Sequence, residues 1–146
     1  MLKLTEGDHG LQGWLLLIGL TGLRIGEALS CELVGQELVV RDAKTEAGVR
    51  HVPVTEGVRR AYQGRAAWGR RYLQKRLTGV FKTFGIFGAC DVHSLRRTTA
   101  QAFSDTDCPE HIAAAIMGHK HKSLTYGLYA RGPTTDPDCV KTPAVL

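Results

Sequence analysis

Residues Leu11–Leu20, LQGWLLLIGL, are apolar on every side, with only Gln12 and two glycines interrupting the run. A helix without a polar face has to be covered all round, so the rest of the chain must wrap this segment. The stretch Trp14–Leu20 is too short to span a bilayer and is flanked by Gly13 and Gly19, which makes it a core helix and excludes a membrane anchor. Residues Met1–Gly10 mix acidic, basic and polar side chains; they read as a loop or helix lead-in and carry no signal peptide. A chain of 146 residues is long enough to bury one core and too short for two substantial ones.

Around that helix the hydrophobic period changes once. From Glu37 to Val54 it is two: Leu38–Val40 and Val49–Val54 are divided by Lys44–Gly48, which predicts a β-hairpin with Lys44 at its tip and Pro53 limiting the second strand. Elsewhere the period is helical. Helices are expected over Glu56–Ala67, Arg70–Phe84, Leu95–Ser104, Pro109–Met117 and Ser123–Ala130. Leu73, Leu77, Val80 and Phe84 form a core stripe on the second of these, and Gly118 supplies a C-cap for the fourth. The fold class is therefore α+β: a mainly helical single domain with a small antiparallel sheet. Gly132, Pro133, Pro137 and Pro143 end regular structure, leaving 132–146 as a tail that is mobile or held by a partner.

Charge narrows the partner. Nineteen Lys and Arg against fourteen acids give a formal net charge of +5, which suits a polyanion. Arg59, Arg65, Arg70, Arg71, Lys75 and Lys82, with Arg97 further on, are the candidates to track a DNA backbone; the alternative is an ordinary solvated helix face. Cys31, Cys90, Cys108 and Cys139 lack a C-x-x-C pair and read as reduced thiols, which places the chain in the cytoplasm. Cys108, His111, His119 and His121 match no common metal spacing, so no metal and no cofactor is expected.

The residues with chemistry to offer are spread along the chain. His93 and Arg96 stand three apart and can aim at one point from a helix face; Gly118-His119 follows a packed helix, and Tyr126 and Tyr129 lie just beyond. An Arg fork, imidazole donors and a phenol suit a phosphodiester. Upstream, Thr21 is a plausible N-cap that places Arg24 in a helical first turn. Ser94 likewise caps a helix with Arg96 and Arg97 in its first turn. A cation is disfavoured at a helix N-terminus, so the pair of violations reads as two halves of a phosphate clamp. The alternative for Arg24 is a solvated side chain, or one paired with Glu27 or Glu32.

Taken together, Arg24, Lys44, His93, Arg96, His119 and Tyr129 resemble the signature of the tyrosine recombinases, the phage integrase family. The local string Ala43-Lys44-Thr45, Gly48, Arg50-His51-Val52-Pro53 is similar to the family's hairpin pattern, and Tyr129, rather than Tyr126, stands at the family's distance from the Gly-His. The resemblance covers roughly Leu11–Arg131. It implies a catalytic domain over 1–131 that cleaves and rejoins double-stranded DNA without metal, through a 3′-phosphotyrosyl intermediate. Arg24 and Arg96 would hold the scissile phosphate, His93 and His119 assist, Lys44 act as general acid and Tyr129 as nucleophile. It also implies a possible homo-oligomer on DNA, a tetramer in the family. The family's N-terminal core-binding domain has no room before Leu11. Other readings with the same residues are a non-catalytic DNA-binding remnant of an integrase and a type IB topoisomerase-like enzyme that relaxes DNA.

Overall fold

The computed structural model describes residues 7–41 and 49–118. Its elements in order are α1 (His9–Thr21), α2 (Ile25–Ser30), β1 (Glu32–Val34), β2 (Glu37–Val40), β3 (Arg50–Pro53), α3 (Glu56–Gly64), α4 (Arg70–Thr83), α5 (Val92–Asp105) and α6 (Glu110–Met117). This is the expected α+β domain, mainly helical with one small antiparallel sheet. The predicted hairpin tip with Lys44, the helix with Tyr126 and Tyr129, His119 and the tail lie outside the described residues.

The apolar helix is central, as its composition demands. Leu11, Trp14, Leu15, Leu17 and Ile18 are buried, and α1 packs on α3, α4 and α5. Its approach to the chain after α3 is close enough to require glycine: a Cβ on Gly13 would stand 2.6 Å from the Arg65 amide nitrogen. Trp14, the largest buried side chain there, donates its indole N–H to the Ala66 carbonyl at 2.9 Å, so the ring is buried without leaving a polar atom unpaired. From the other side α4 contributes Leu73, Leu77, Val80 and Phe81, each buried side chain stabilising by about 1.5–3 kcal/mol. Phe81, outside the predicted stripe, is buried, whereas Phe84 is only partly buried at the C-cap because α4 stops at Thr83.

The sheet has the order β1-β2-β3, antiparallel throughout. The predicted pairing holds, with Leu38 opposite Val52 and Val40 opposite Arg50. A third strand was not foreseen. Three residues are too few to show a period, and β1 is joined to β2 by the two-residue turn Gly35-Gln36, in which Gly35 takes φ 59°.

Two helix starts differ from expectation, and both differences bear on the site. Thr21 does not cap the second helix. It closes the first, its hydroxyl donating back to the Leu17 carbonyl at 2.5 Å, and Gly22 follows as a left-handed C-cap at φ 65°. Arg24 is thereby the N-cap residue of α2, one turn earlier than expected. In α5 the cap is Asp91, whose carboxylate accepts the Ser94 amide at 2.8 Å while the Ser94 hydroxyl accepts the Asp91 amide at 3.0 Å. Both are good capping residues, and the reciprocal box is satisfied only with the acid first. Arg96 consequently sits in the second turn of α5 and His93 in the first. No helix among the described residues is long and apolar enough to cross a membrane.

Candidate active site

Between α2, α4 and the start of α5 lies an open groove of about 340 Å³, lined by Arg24, His93 and Arg96 together with Arg70, Gln74, Thr78, Phe87 and Cys90. Three predicted site residues from two distant stretches of sequence therefore share one opening. Arg24 is half exposed at 50% and reaches the groove from the N-cap of α2. His93 is exposed on the first turn of α5, and Arg96 is buried at its floor.

The two arginines gather at a buried carboxylate. Glu27 accepts the Arg24 backbone amide at 2.8 Å, completing the cap, and the Arg24 guanidinium at 2.7 Å. Arg50 from β3 grips the same carboxylate with two donors, Nη1 to Oε1 at 3.2 Å and Nη2 to Oε2 at 2.9 Å. Arg96 stands 3.9 Å from Glu27 Oε2. Burial pushes the Glu27 carboxyl up, but the hydrogen bonds from Arg50 and Arg24 and the Arg50 charge outweigh it and hold the group at about 2. Burial, and after it the Arg24 charge, pushes Arg96 down to about 10, which still leaves it a cation at neutral pH. Arg24, Arg50, Arg70 and Arg96 at or beside the groove stand against two carboxylates, Glu27 and Asp91, and leave a net charge of two positive. An anion such as a phosphate is the ligand that field favours.

The expectation of two helix N-termini clamping an anion is corrected by this arrangement. Arg96 is bound to helix C-termini: Nη1 donates to the Gly22 carbonyl at the end of α1 at 2.6 Å, and Nη2 donates to the Met117 carbonyl at the end of α6. A buried cation is compensated well there, because unsatisfied carbonyls carry the negative end of the helix dipole. Two of its five donors are spent in this way, and the residue lines the groove. Arg24, for its part, is both paired with Glu27, as the structural alternative had it, and directed into the groove.

The basic candidates separate in the same way. Arg70 lines the groove, and Arg71, Lys75 and Lys82 are exposed along the neighbouring stripe of α4. Arg97 is exposed beside His93 and donates to the Ser94 hydroxyl at 2.9 Å. Arg59 is used within the fold, donating to the Gly35 carbonyl and the Gln36 side chain, each at 2.9 Å. Arg65 lies 3.4 Å above the Tyr62 ring and donates to the Tyr62 carbonyl. The sequence offered Glu27 only as one of two pairing partners for Arg24 and did not point to its contacts with Arg50 and Arg96, nor to Gln74 and Thr78. Gln74 and Thr78 had a signal, since with Arg70 they recur every four residues on one face of α4. Among the described residues no group of three or more His, Cys, Asp and Glu is placed to hold a metal ion.

No family model and no curated protein matches the chain. Among solved structures it is similar to the Tn1549 transposon integrase in complex with transposon right end DNA, with a TM-score of 0.56 and 18% identity. The match covers 83% of this chain and 54% of that one, so the chain spans about half the length of the integrase structure. At that identity the likeness establishes the shared fold.

Proposed function

We propose that this chain is the catalytic domain of a tyrosine recombinase, which breaks and rejoins DNA through a 3′-phosphotyrosyl intermediate. The observation that carries the reading is the groove itself: Arg24, His93 and Arg96, three residues of the six-residue signature, line one opening with a net positive surround. The integrase similar in fold is bound to transposon end DNA, which favours the same class of ligand for this chain.

In this reading Arg24 and Arg96 hold the non-bridging oxygens of the scissile phosphate and stabilise the charge that grows on them in the transition state. The Tyr129 oxygen attacks phosphorus as its proton is taken up, with His93 assisting the transfer. The P–O5′ bond breaks, and Lys44 delivers a proton to the departing 5′ oxygen. His119 donates a hydrogen bond to the phosphate. The reverse reaction, with a 5′-hydroxyl attacking the phosphotyrosyl bond, rejoins the strand. A phenol is a weak nucleophile near neutral pH, its ordinary pKa being ~10, so the positive surround is needed for its anion as well as for the phosphate.

The test is incubation with a suicide duplex nicked near the scissile phosphate, and in parallel with supercoiled plasmid, read on denaturing gels as a covalent protein–DNA adduct. Adduct is expected from the wild type and from Tyr126→Phe and none from Tyr129→Phe; Arg24→Ala and Arg96→Ala should slow its formation about 10²- to 10³-fold. Loss of adduct in Tyr126→Phe alone would move the nucleophile. Salt-sensitive DNA binding with no adduct and no plasmid relaxation would overturn the catalytic reading and leave a DNA-binding remnant.

A further inference from the structure

Arg50 makes three hydrogen bonds beside the groove, yet it does not line it. It is 8% exposed, its Nη1 and Nη2 bind the two oxygens of Glu27, and its Nε donates to the Ile116 carbonyl at 2.9 Å. The guanidinium also lies flat beneath the turn that ends α6. A Cβ on Gly118 would fall 2.6 Å from Arg50 Nη1 and 2.7 Å from its central carbon, and Gly118 has φ 66°. Only glycine meets both conditions, the left-handed backbone and the absence of a side chain over the arginine.

One planar group thus joins three segments: β3, which carries it; the α2 cap, where Glu27 orients Arg24; and the C-terminal turn of α6, after which the chain passes to His119. Its two ends do different things. The Glu27 side fixes where Arg24 is presented, and the Ile116 side fixes where the chain leaves α6. A lysine keeps the charge at this place but cannot make the fork and the third bond together.

We propose that Arg50 is a positioning residue, coupling the presentation of Arg24 at the groove to the Gly118 turn that ends α6. This rests on the recombinase reading for its catalytic consequence, whereas the coupling itself is a property of the fold. Misplacement of a reacting group by about 1 Å can cost on the order of a hundredfold in rate without loss of binding.

The experiment has two arms. In the first, Arg50→Lys is compared with wild type for adduct formation on the suicide duplex, duplex affinity and thermal unfolding. A protein that remains folded and binds duplex within about threefold of wild type, with adduct formation slowed roughly a hundredfold, is expected; adduct formation at the wild-type rate in folded Arg50→Lys overturns the proposal. In the second arm, amide nitrogen–proton NMR follows the Gly118 signal when Glu27→Gln is introduced with Arg50 present and again in Arg50→Lys. The shift should appear in the first background and vanish in the second; an unmoved Gly118 signal, or one that moves equally in both, overturns the coupling. Absence of adduct from the wild type would sink the recombinase reading, and the NMR arm would then decide the coupling by itself. Gly118→Ala enters as a check from the other end, expected to slow adduct formation as Arg50→Lys does.

Discussion

The arginines around Glu27 and the cations along α4 are the same chemistry in opposite settings. Arg50 and Arg96 are 8% and 3% exposed and are bonded to a carboxylate and to helix-end carbonyls, whereas Arg70, Arg71, Lys75 and Lys82 are exposed. A buried guanidinium fixes geometry, because its planar fork cannot turn without breaking several bonds at once. An exposed one adds attraction with little orientation, and salt screens it. The difference separates the part of the molecule that would define where a phosphate sits from the part that would gather the polyanion around it.

The sharpest way to break that contrast is to remove the shared carboxylate. Glu27→Ala leaves Arg50 and Arg96 buried without their counter-charge, and loss of one partner from a buried pair costs about 3–5 kcal/mol. Urea unfolding should show a fall of that size, while neutralising any one of Arg71, Lys75 and Lys82 should change stability by no more than ~0.5 kcal/mol. Equal small effects at both places would mean that Glu27 does not organise the site.

Acid titration sharpens the same contrast with a slightly smaller effect. Glu27 is held at about 2 in the fold against an ordinary 4.5, so its contribution to stability is complete above about pH 4.5 and is lost as the pH falls towards 2. The amount is on the order of 3 kcal/mol for a shift of that size. Thermal unfolding from pH 6 to pH 2 should therefore steepen below about pH 4.5 in wild type, and Glu27→Gln should lack that component. Identical slopes would remove the carboxylate from the account.

These two regions were also unequally legible from the chain. The period of two over Leu38–Val54 and the stripe Leu73, Leu77, Val80 are local patterns, and the sheet pairing and α4 follow from them. The spacing of His93 and Arg96, and the signature around Arg24, point to three of the residues that line the groove. The node was hidden for a physical reason. Arg50 meets Glu27 across 23 residues and the Ile116 carbonyl across 66, and no periodicity encodes a long-range pair of that kind. The helix starts are ambiguous in the sequence because Asp91 and Ser94 are both competent caps, and because Thr21 can serve the helix before it as well as the one after. With the starts shifted, the arginines meet at Glu27 from different settings, Arg24 at the N-cap of α2 and Arg96 on the C-terminal carbonyls of α1 and α6.

The smallest effect on stability belongs to the α4 stripe, and it is the one that isolates the other half of the contrast. Lys75 and Lys82 lie seven residues, about 10.5 Å of helix, apart on the exposed face next to the groove wall formed by Arg70, Gln74 and Thr78. Each phosphate neutralised releases counterions and steepens the dependence of log K on log salt by ~0.9. If Arg71, Lys75 and Lys82 all touch backbone, replacing them together by serine should lower that slope by about 2.7 with hardly any change in unfolding free energy, measured by fluorescence anisotropy of a labelled duplex across a salt series. A triple variant with the wild-type slope would leave α4 an ordinary solvated face. The groove, with the net charge left around Glu27, would then have to supply the attraction as well as the geometry.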